Sequence, residues 1–357
     1  MKYSAFRIFS TQLEKLKKHL QRLHGFDTIN KEIQKSFLTD NIKKQANIVL
    51  QANTDEKIFD YNSIVISLYG YWEQYIETVI KEYLQELGSL NTSNDEKNKR
   101  IANKYKESLL YLFNKVNTKH PKFRNLTDTR LINAMYIGLS KKINSYIPEA
   151  FFQSGGNYNY KETSNCIKRL GFENVDNELR FFPVLKTYYI TKGWSEAQIK
   201  GAGTEVLYAL LDDFVLLRNE VAHGATDGTN ILEISELKKY ISFLEALANA
   251  LNDYLKDDIL KIKWNLYKAN KIKVRHCYNQ NKVSELDRSE FYLDINKKVL
   301  CYCGSHQYPH YKEIKIIGFR VNNINCLDKQ YLSDGTSTIT IEFEEALKKG
   351  YYLKFEE

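Results

Sequence analysis

Three residues in one short run could do chemistry together. They are Arg218, Asn219 and His223, in LLRNEVAHGATDG, Leu216 to Gly228. Rotating about 100° per residue from Arg218 puts Leu207, Leu211, Phe214, Val215, Val221 and Ala222 within about 60° of it. Arg218 therefore stands in the middle of an apolar helical stripe. A guanidinium there must reach solvent along its stem, or be paired and hydrogen-bonded. Asn219 and His223 lie four positions apart on a neighbouring face. Gly224 follows as a helix terminator of the C′ kind. Arginine grips phosphate in a planar fork, and imidazole titrates near neutrality, so this set suits phosphoryl chemistry. Simple capping of a helix end accounts for Gly224. It does not account for Arg218.

A facing surface is offered by SIVISLYGYWEQYIETVIKEYL, Ser63 to Leu84. Val65, Leu68, Tyr69, Trp72, Tyr75, Ile76, Val79 and Tyr83 make its stripe. Glu73 lies on the edge of that stripe, one turn after Tyr69. A carboxylate at the rim of a packed face suits an arginine from another helix.

These helices belong to a long α-helical region. Amphipathic patterns run over Phe6–Leu23, Asn30–Gln51, Asp55–Leu87, Asn94–Val116, Thr127–Ser140, Ser195–His223 and Ile234–Ile262. A short helix near Cys166–Leu170 is closed by Gly171, and the NTSNDE run (91–96) reads as a capping-rich break. After about Trp264 the pattern turns β-branched and aromatic, with turn signals such as Asp334-Gly335. The expectation is two domains: a helical one at 1–262, with core helices near 55–87, 204–224 and 234–262, and a small all-β one at 263–357. In fold-class terms this is a multi-domain α and β chain. The 357 residues carry a formal charge of +8. From residue 263 on there are 16 Lys and Arg against 12 Asp and Glu, and before it 36 against 32, so the excess is shared by both domains. A basic balance permits an acidic partner such as nucleic acid without demanding one. No apolar run reaches the roughly 18–20 residues that span a membrane. The charged start, MKYSAFRIFSTQLEKLKKHLQRL, lacks a signal peptide's apolar centre. Five cysteines without regular spacing read as reduced thiols, which points to a cytoplasmic location.

The run RNEVAHG, Arg218 to Gly224, closes an apolar helix preceded by a long aromatic-rich helix with an inward acid. In this it resembles the HEPN ribonuclease families, with the R-N-x3-H form of their motif. The segment NYNYKETSNCIKRLGF (157–172) is similar to the connecting region of one two-gene HEPN defence family. The resemblance covers roughly residues 1–262. It implies an antiparallel helical bundle that dimerises so that two motifs meet in one cleft. It implies metal-independent RNA cleavage without a cofactor, in anti-phage defence or a toxin–antitoxin system. The partners it implies are RNA, a second copy or a HEPN partner, and an antitoxin or another defence component. Carried over, His223 is the general base or acid and Arg218 stabilises the phosphorane. Asn219 orients the histidine or the phosphate, and Glu73 holds Arg218. Tyr69 is expected to contact RNA. HEPN domains that have lost catalysis keep similar helices. A non-catalytic RNA-binding or adaptor subunit is therefore the alternative.

The β region is similar to the small β-barrel that forms the second domain of translation elongation factors. The cues are a hairpin at Tyr278–Val283, the strand IKIIGFRVNN and the late segment KKGYYL. This implies RNA, tRNA or ribosome contact, although such barrels also serve as plain interaction modules. Lys271, Lys273 and Arg275, interleaved with aromatics, form the expected RNA-binding approach. A solvated first strand explains the same residues. Cys301, Cys303, His306 and His310 are zinc-ligand types, but C-x-C-x2-H-x3-H is not a usual ligand spacing, and Cys301 and Cys303 suit core packing equally well. No metal is expected. The run SGGNYNYK (154–161) lacks phosphate-loop spacing, and Cys166 has no histidine near it in sequence.

Overall fold

The structure is a computed structural model that describes residues 2–35, 39–90, 96–116, 123, 125–139, 146–152, 157–224, 231–326 and 328–355. The expected break at 91–95 and the run Ala225–Gly228 after the motif lie outside the described residues. The chain forms two compact units. One comprises Lys2–Arg180 with Val184–Asn252, the other Phe181–Pro183 with Asp253–Glu357.

The first unit is helical. Its elements are α1 (Ser4–Lys35), α2 (Asp40–Ser89), α3 (Glu96–Val116), α4 (Asp128–Leu139), α5 (Tyr160–Arg169), α6 (Val175–Glu178), α7 (Pro183–Thr191), α8 (Glu196–Gly201), α9 (Thr204–Leu207), α10 (Ala209–Ala222) and α11 (Ile234–Leu266), with a 3-10 turn at Pro148–Phe151. The last turns of α11 belong to the second unit. The apolar stripe of α2 is buried along its length, from Val65 to Tyr83. Phe9 of α1 packs on it, 5.1 Å from the Tyr75 ring and 6.1 Å from that of Trp72.

Several element boundaries differ from the sequence expectation: α1 runs on to Lys35, so the helix expected at Asn30–Gln51 is divided between α1 and α2, and the short helix expected near Cys166–Leu170 begins at Tyr160. The helices expected at Asn30–Gln51 and Asp55–Leu87 do not break between 51 and 55, because α2 runs through. Asn53, Thr54 and Asp55 are weak helix formers, yet each costs only about 0.7 kcal/mol or less relative to alanine. The single helix expected at Ser195–His223 is three. Ala202 and Gly203 are extended, and Tyr208 separates α9 from α10. Gly201 and Gly203 are poor helix formers, and the first of these breaks is held by Arg180. Arg180 is 4% exposed and donates from Nη1 to the carbonyls of Ile199 (3.2 Å), Lys200 (3.4 Å) and Ala202 (2.6 Å). A buried cation thus occupies the carbonyls that a continuing helix would have used.

The second unit is a closed antiparallel barrel. Its strands are β1 (Ile272–Tyr278), β2 (Val283–Leu286), β3 (Glu290–Asp294), β4 (Lys298–Tyr302), β5 (Tyr311–Val321), β6 (Ile324–Asn325), β7 (Gln330–Asp334), β8 (Ile339–Phe343) and β9 (Tyr352–Phe355). The order is β4-β9-β1-β2-β8-β5, and the β4–β5 pairing closes the ring. β6 extends from β5, and β3 pairs with β7 separately. The expected hairpin is present: Tyr278 pairs with Val283, and Asn279, Gln280 and Asn281 turn the chain with φ of 50°, 55° and 67°. Short polar side chains tolerate that left-handed region best. The late segment closes the barrel as expected, β9 pairing with both β1 and β4.

Candidate functional site

The motif sits on α10, which buries Leu211, Phe214, Val215 and Val221. The helix ends at His223, whose backbone N–H donates to the Asn219 carbonyl at 3.0 Å. Gly224 follows with φ 69°, donating to the Val221 carbonyl at 3.1 Å. A residue with a Cβ would be strained in that conformation. His223 is exposed at this end.

Arg218 is half-buried, and its place on the apolar stripe is resolved by two kinds of contact. Its guanidinium lies over the Tyr69 ring, 4.3 Å from the centroid. Such cation–π contacts contribute roughly 0.5–2 kcal/mol, more as water is excluded. Its Nη1 donates to Asn157 Oδ1 at 3.0 Å and to Asn219 Oδ1 at 3.1 Å. Asn157 Nδ2 donates to Asn219 Oδ1 at 2.8 Å, so the two amides and the guanidinium form a closed triangle. Among the described residues, Nε and Nη2 of Arg218 have no protein acceptor. One edge of the fork is fixed and the other can take an anion.

The segment before α5 supplies the rest of the support. Tyr158 donates its backbone N–H to the Tyr69 hydroxyl at 3.0 Å, and the Tyr158 carbonyl accepts from Trp72 Nε1 at 3.1 Å. The Tyr158 hydroxyl donates to Glu77 Oε1 at 2.9 Å, and the Tyr160 N–H donates to Asp212 Oδ1 at 2.8 Å. Residues 157–160 are thus stitched to both α2 and α10. Burial pushes the Tyr69 phenol up to about 12. The Tyr158 N–H and the Arg218 charge pull against that rise, and the Glu73 charge adds to it.

The structure brings Arg218, Asn219 and Tyr69 together, and His223 is exposed at the end of the same helix. Half-buried Glu73 is close enough for its charge to act on the Tyr69 hydroxyl. The acceptors that hold Arg218 are the amides of Asn157 and Asn219. Tyr69, expected at the RNA, is 3% exposed. It therefore reaches the site by carrying the guanidinium, because its ring is covered by the packing of α2. Asn157 is the residue that sequence reading missed. Its neighbour Asn159 caps α5, accepting from the Glu162 N–H at 2.9 Å, and in one dimension the two asparagines look alike.

In the barrel unit Lys271, Lys273 and Arg275 are exposed while Ile272 and Val274 are buried, so Lys273 and Arg275 lie on the outer face of β1 and Lys271 directly precedes the strand. Arg275 lies 3.8 Å from Glu285 on the neighbouring strand. Cys301 and Cys303 are both buried in the barrel core, with their sulfurs 4.0 Å apart. The hydrogen bond to Cys303 and burial hold the Cys301 thiol well above its usual range. His310 donates from Nδ1 to Asp257 Oδ2 at 2.8 Å. Among the described residues no group of three His, Cys, Asp or Glu side chains is placed to hold a metal ion. No described helix is long and apolar enough to cross a membrane.

The family model described as RiboL-PSP-HEPN matches residues 25–257. The chain belongs to the RiboL-PSP-HEPN family. That span holds α2, α5 and α10, and so every member of the Arg218 network. No curated protein and no solved structure matches the chain.

Proposed function

We propose that this RiboL-PSP-HEPN protein is an endoribonuclease that needs no metal ion. The observation that carries the reading is the Arg218 fork. Two amides hold its Nη1 and the Tyr69 ring takes its face, Nε and Nη2 have no described acceptor, and an exposed imidazole stands five residues on at the helix end. RNA brings its own nucleophile, the 2′-hydroxyl. The protein then has only to move protons and stabilise charge on the phosphoryl oxygens. Arg218 takes the non-bridging oxygens of the phosphorane. His223 removes the 2′ proton or protonates the leaving 5′ oxygen. Asn219 orients the phosphate or the imidazole, and Glu73 adds negative charge behind Tyr69 and so favours the arginine's place. The products are a 2′,3′-cyclic phosphate and a 5′-hydroxyl. Base and acid are both required, and α10 supplies one histidine. Two copies, or this chain and a HEPN partner, therefore complete the site by bringing two α10 ends together. Lys271, Lys273 and Arg275 offer phosphate contacts to RNA, tRNA among the candidates. The setting we infer is anti-phage defence or a toxin–antitoxin pair in the cytoplasm, in which a partner restrains cutting.

The test is cleavage of end-labelled RNA by wild type and His223→Ala, with chelator present and absent and the product ends mapped. General acid–base catalysis contributes about 10²–10⁴-fold, and the variant should lose that much. Equal cleavage by the variant, or loss of wild-type activity to the chelator, sinks the proposal. A folded protein that binds RNA and never cuts it would instead assign the fold to RNA binding.

A further inference from the structure

The two amides at Arg218 have only one way to face. A guanidinium is all donors and carries no acceptor. Arg218 Nη1 lies 3.0 Å from the side chain of Asn157 and 3.1 Å from that of Asn219, so each amide must turn its oxygen toward the arginine. The third side of the triangle agrees, since Asn157 Nδ2 donates to the same Asn219 oxygen at 2.8 Å. Asn219 Oδ1 therefore accepts twice, and its two lone pairs are spent. It has nothing left with which to accept from His223. The bond that joins those two residues runs between their backbones, from the His223 N–H to the Asn219 carbonyl at 3.0 Å.

The nitrogen of the same amide is unspent. Among the described residues, neither hydrogen of Asn219 Nδ2 has an acceptor, whereas Asn157 gives one of its own to Asn219. Asn219 is half-buried, and its Nδ2 shares a carbon with Oδ1. Nδ2 thus stays within one amide's width of the guanidinium, whose Nε and Nη2 also lack a described acceptor. Unpaired donors around one cation suit an oxyanion, because charge-assisted hydrogen bonds are the strong ones. We propose that Asn219 is a phosphate ligand and not a support for the histidine. Its Nδ2 and the fork of Arg218 bind non-bridging oxygens of one phosphodiester. Asn157 is a positioning residue, which holds the Asn219 amide in that orientation. The inference rests on the reading of Arg218 as the phosphate-binding group, and it gives Asn219 a single role there.

Asn219→Ala and Asn157→Ala make a matched pair. Each takes one acceptor from Arg218 Nη1, and the first also takes both unspent hydrogens of Nδ2. The probe is a single-stranded oligoribonucleotide with 2′-fluoro groups throughout, which lacks the nucleophile and cannot be cut. Its binding to the full chain is read by fluorescence anisotropy. Asn219→Ala should weaken binding about tenfold, the loss of one charge-assisted hydrogen bond. Asn157→Ala should weaken it roughly threefold or less. Asn219→Asp keeps the oxygen that faces Arg218, which guards against a folding defect, and puts a second oxygen where Nδ2 stood. It should bind at least as weakly as Asn219→Ala. In cleavage of unmodified RNA, Asn219→Ala should lose about 10²-fold at every pH, with both limbs of the pH–rate profile in place. A displaced limb would mean that Asn219 orients the imidazole, and overturns the proposal. Equal binding losses from Asn219→Ala and Asn157→Ala overturn it, as does wild-type affinity in Asn219→Asp or failure of folded wild type to bind the probe. Binding needs no cutting. A wild type that binds the probe but never cleaves RNA would therefore sink the cleavage reading and leave the contrast between the two asparagines to be read.

Discussion

Each unit of this protein gathers residues that could do chemistry, and the two sets differ in what they have left over. In the helical unit Arg218 is held at Nη1 by Asn157 and Asn219 and across its face by Tyr69, and His223 is exposed at the end of its helix. In the barrel, Cys301 and Cys303 sit in the core facing one another, and His310 is bonded to Asp257, which also accepts the Tyr311 N–H at 2.6 Å. Both sets contain the side chains that catalytic and metal sites use. In the first set, Nε and Nη2 of Arg218 have no acceptor among the described residues, whereas Cys301, Cys303 and His310 are engaged within the barrel unit. Residue type nominates a site, and unspent bonding capacity near solvent separates a working group from a structural one.

The largest expected effect tests that contrast directly. Arg218→Ala should lower RNA cleavage by about 10²–10³-fold, the cost of removing one donor to a developing oxyanion, with the thermal melt little changed. His310→Ala, measured in the same assay, should leave cleavage intact. If the histidine of the barrel mattered and the arginine did not, the comparison would be reversed. Next in size is the barrel's own prediction. Asp257→Ala strips the partner from His310 and from the Tyr311 N–H, and should cost about 2 kcal/mol in urea denaturation without reducing cleavage at low denaturant.

A smaller effect should follow Asn157→Ala. Arg218 keeps its ring and Asn219, so cleavage should fall only about tenfold, roughly 1.4 kcal/mol. A drop as deep as that of Arg218→Ala would make Asn157 part of the chemistry. The smallest effect under ordinary conditions is the alkaline limit. Burial pushes Tyr69, Tyr105, Tyr146 and Tyr208 up to about 12 from 10.0, and all four belong to the helical unit. The fold favours the neutral phenol. The stability this gives is complete below pH 10.0, the unfolded value, and is lost as pH rises toward about 12. Helical circular dichroism and tyrosinate absorbance should therefore change together in that window. Tyrosinate appearing well before the helix signal falls would contradict the burial.

Much of the fold was legible. The α2 stripe from Val65 to Tyr83, the Gly224 stop, the Tyr278–Val283 hairpin and the closing strand all follow from local rules of periodicity and turn chemistry. Less legible were places where a distant side chain decides a local outcome. Arg180 holds the carbonyls at the end of α8 from outside the helix, although Gly201 and Gly203 already mark that break locally. At the site, the helical wheel was enough to find Arg218 anomalous. It could not say what resolved the anomaly.

The sequence by itself determined that an arginine stands on an apolar stripe five residues before a histidine at a helix end, and that a helical region precedes a β one. Those are facts of spacing, and helix geometry converts spacing into direction without any partner. Only the tertiary structure decided what meets the guanidinium. Asn157 is 61 residues from Arg218 along the chain, and Tyr69 is farther still on α2. Hydrogen bonds and ring contacts act over a few ångströms regardless of sequence distance. The choice of Asn157 over Asn159, and of Tyr69 as a buried platform, belonged to packing alone.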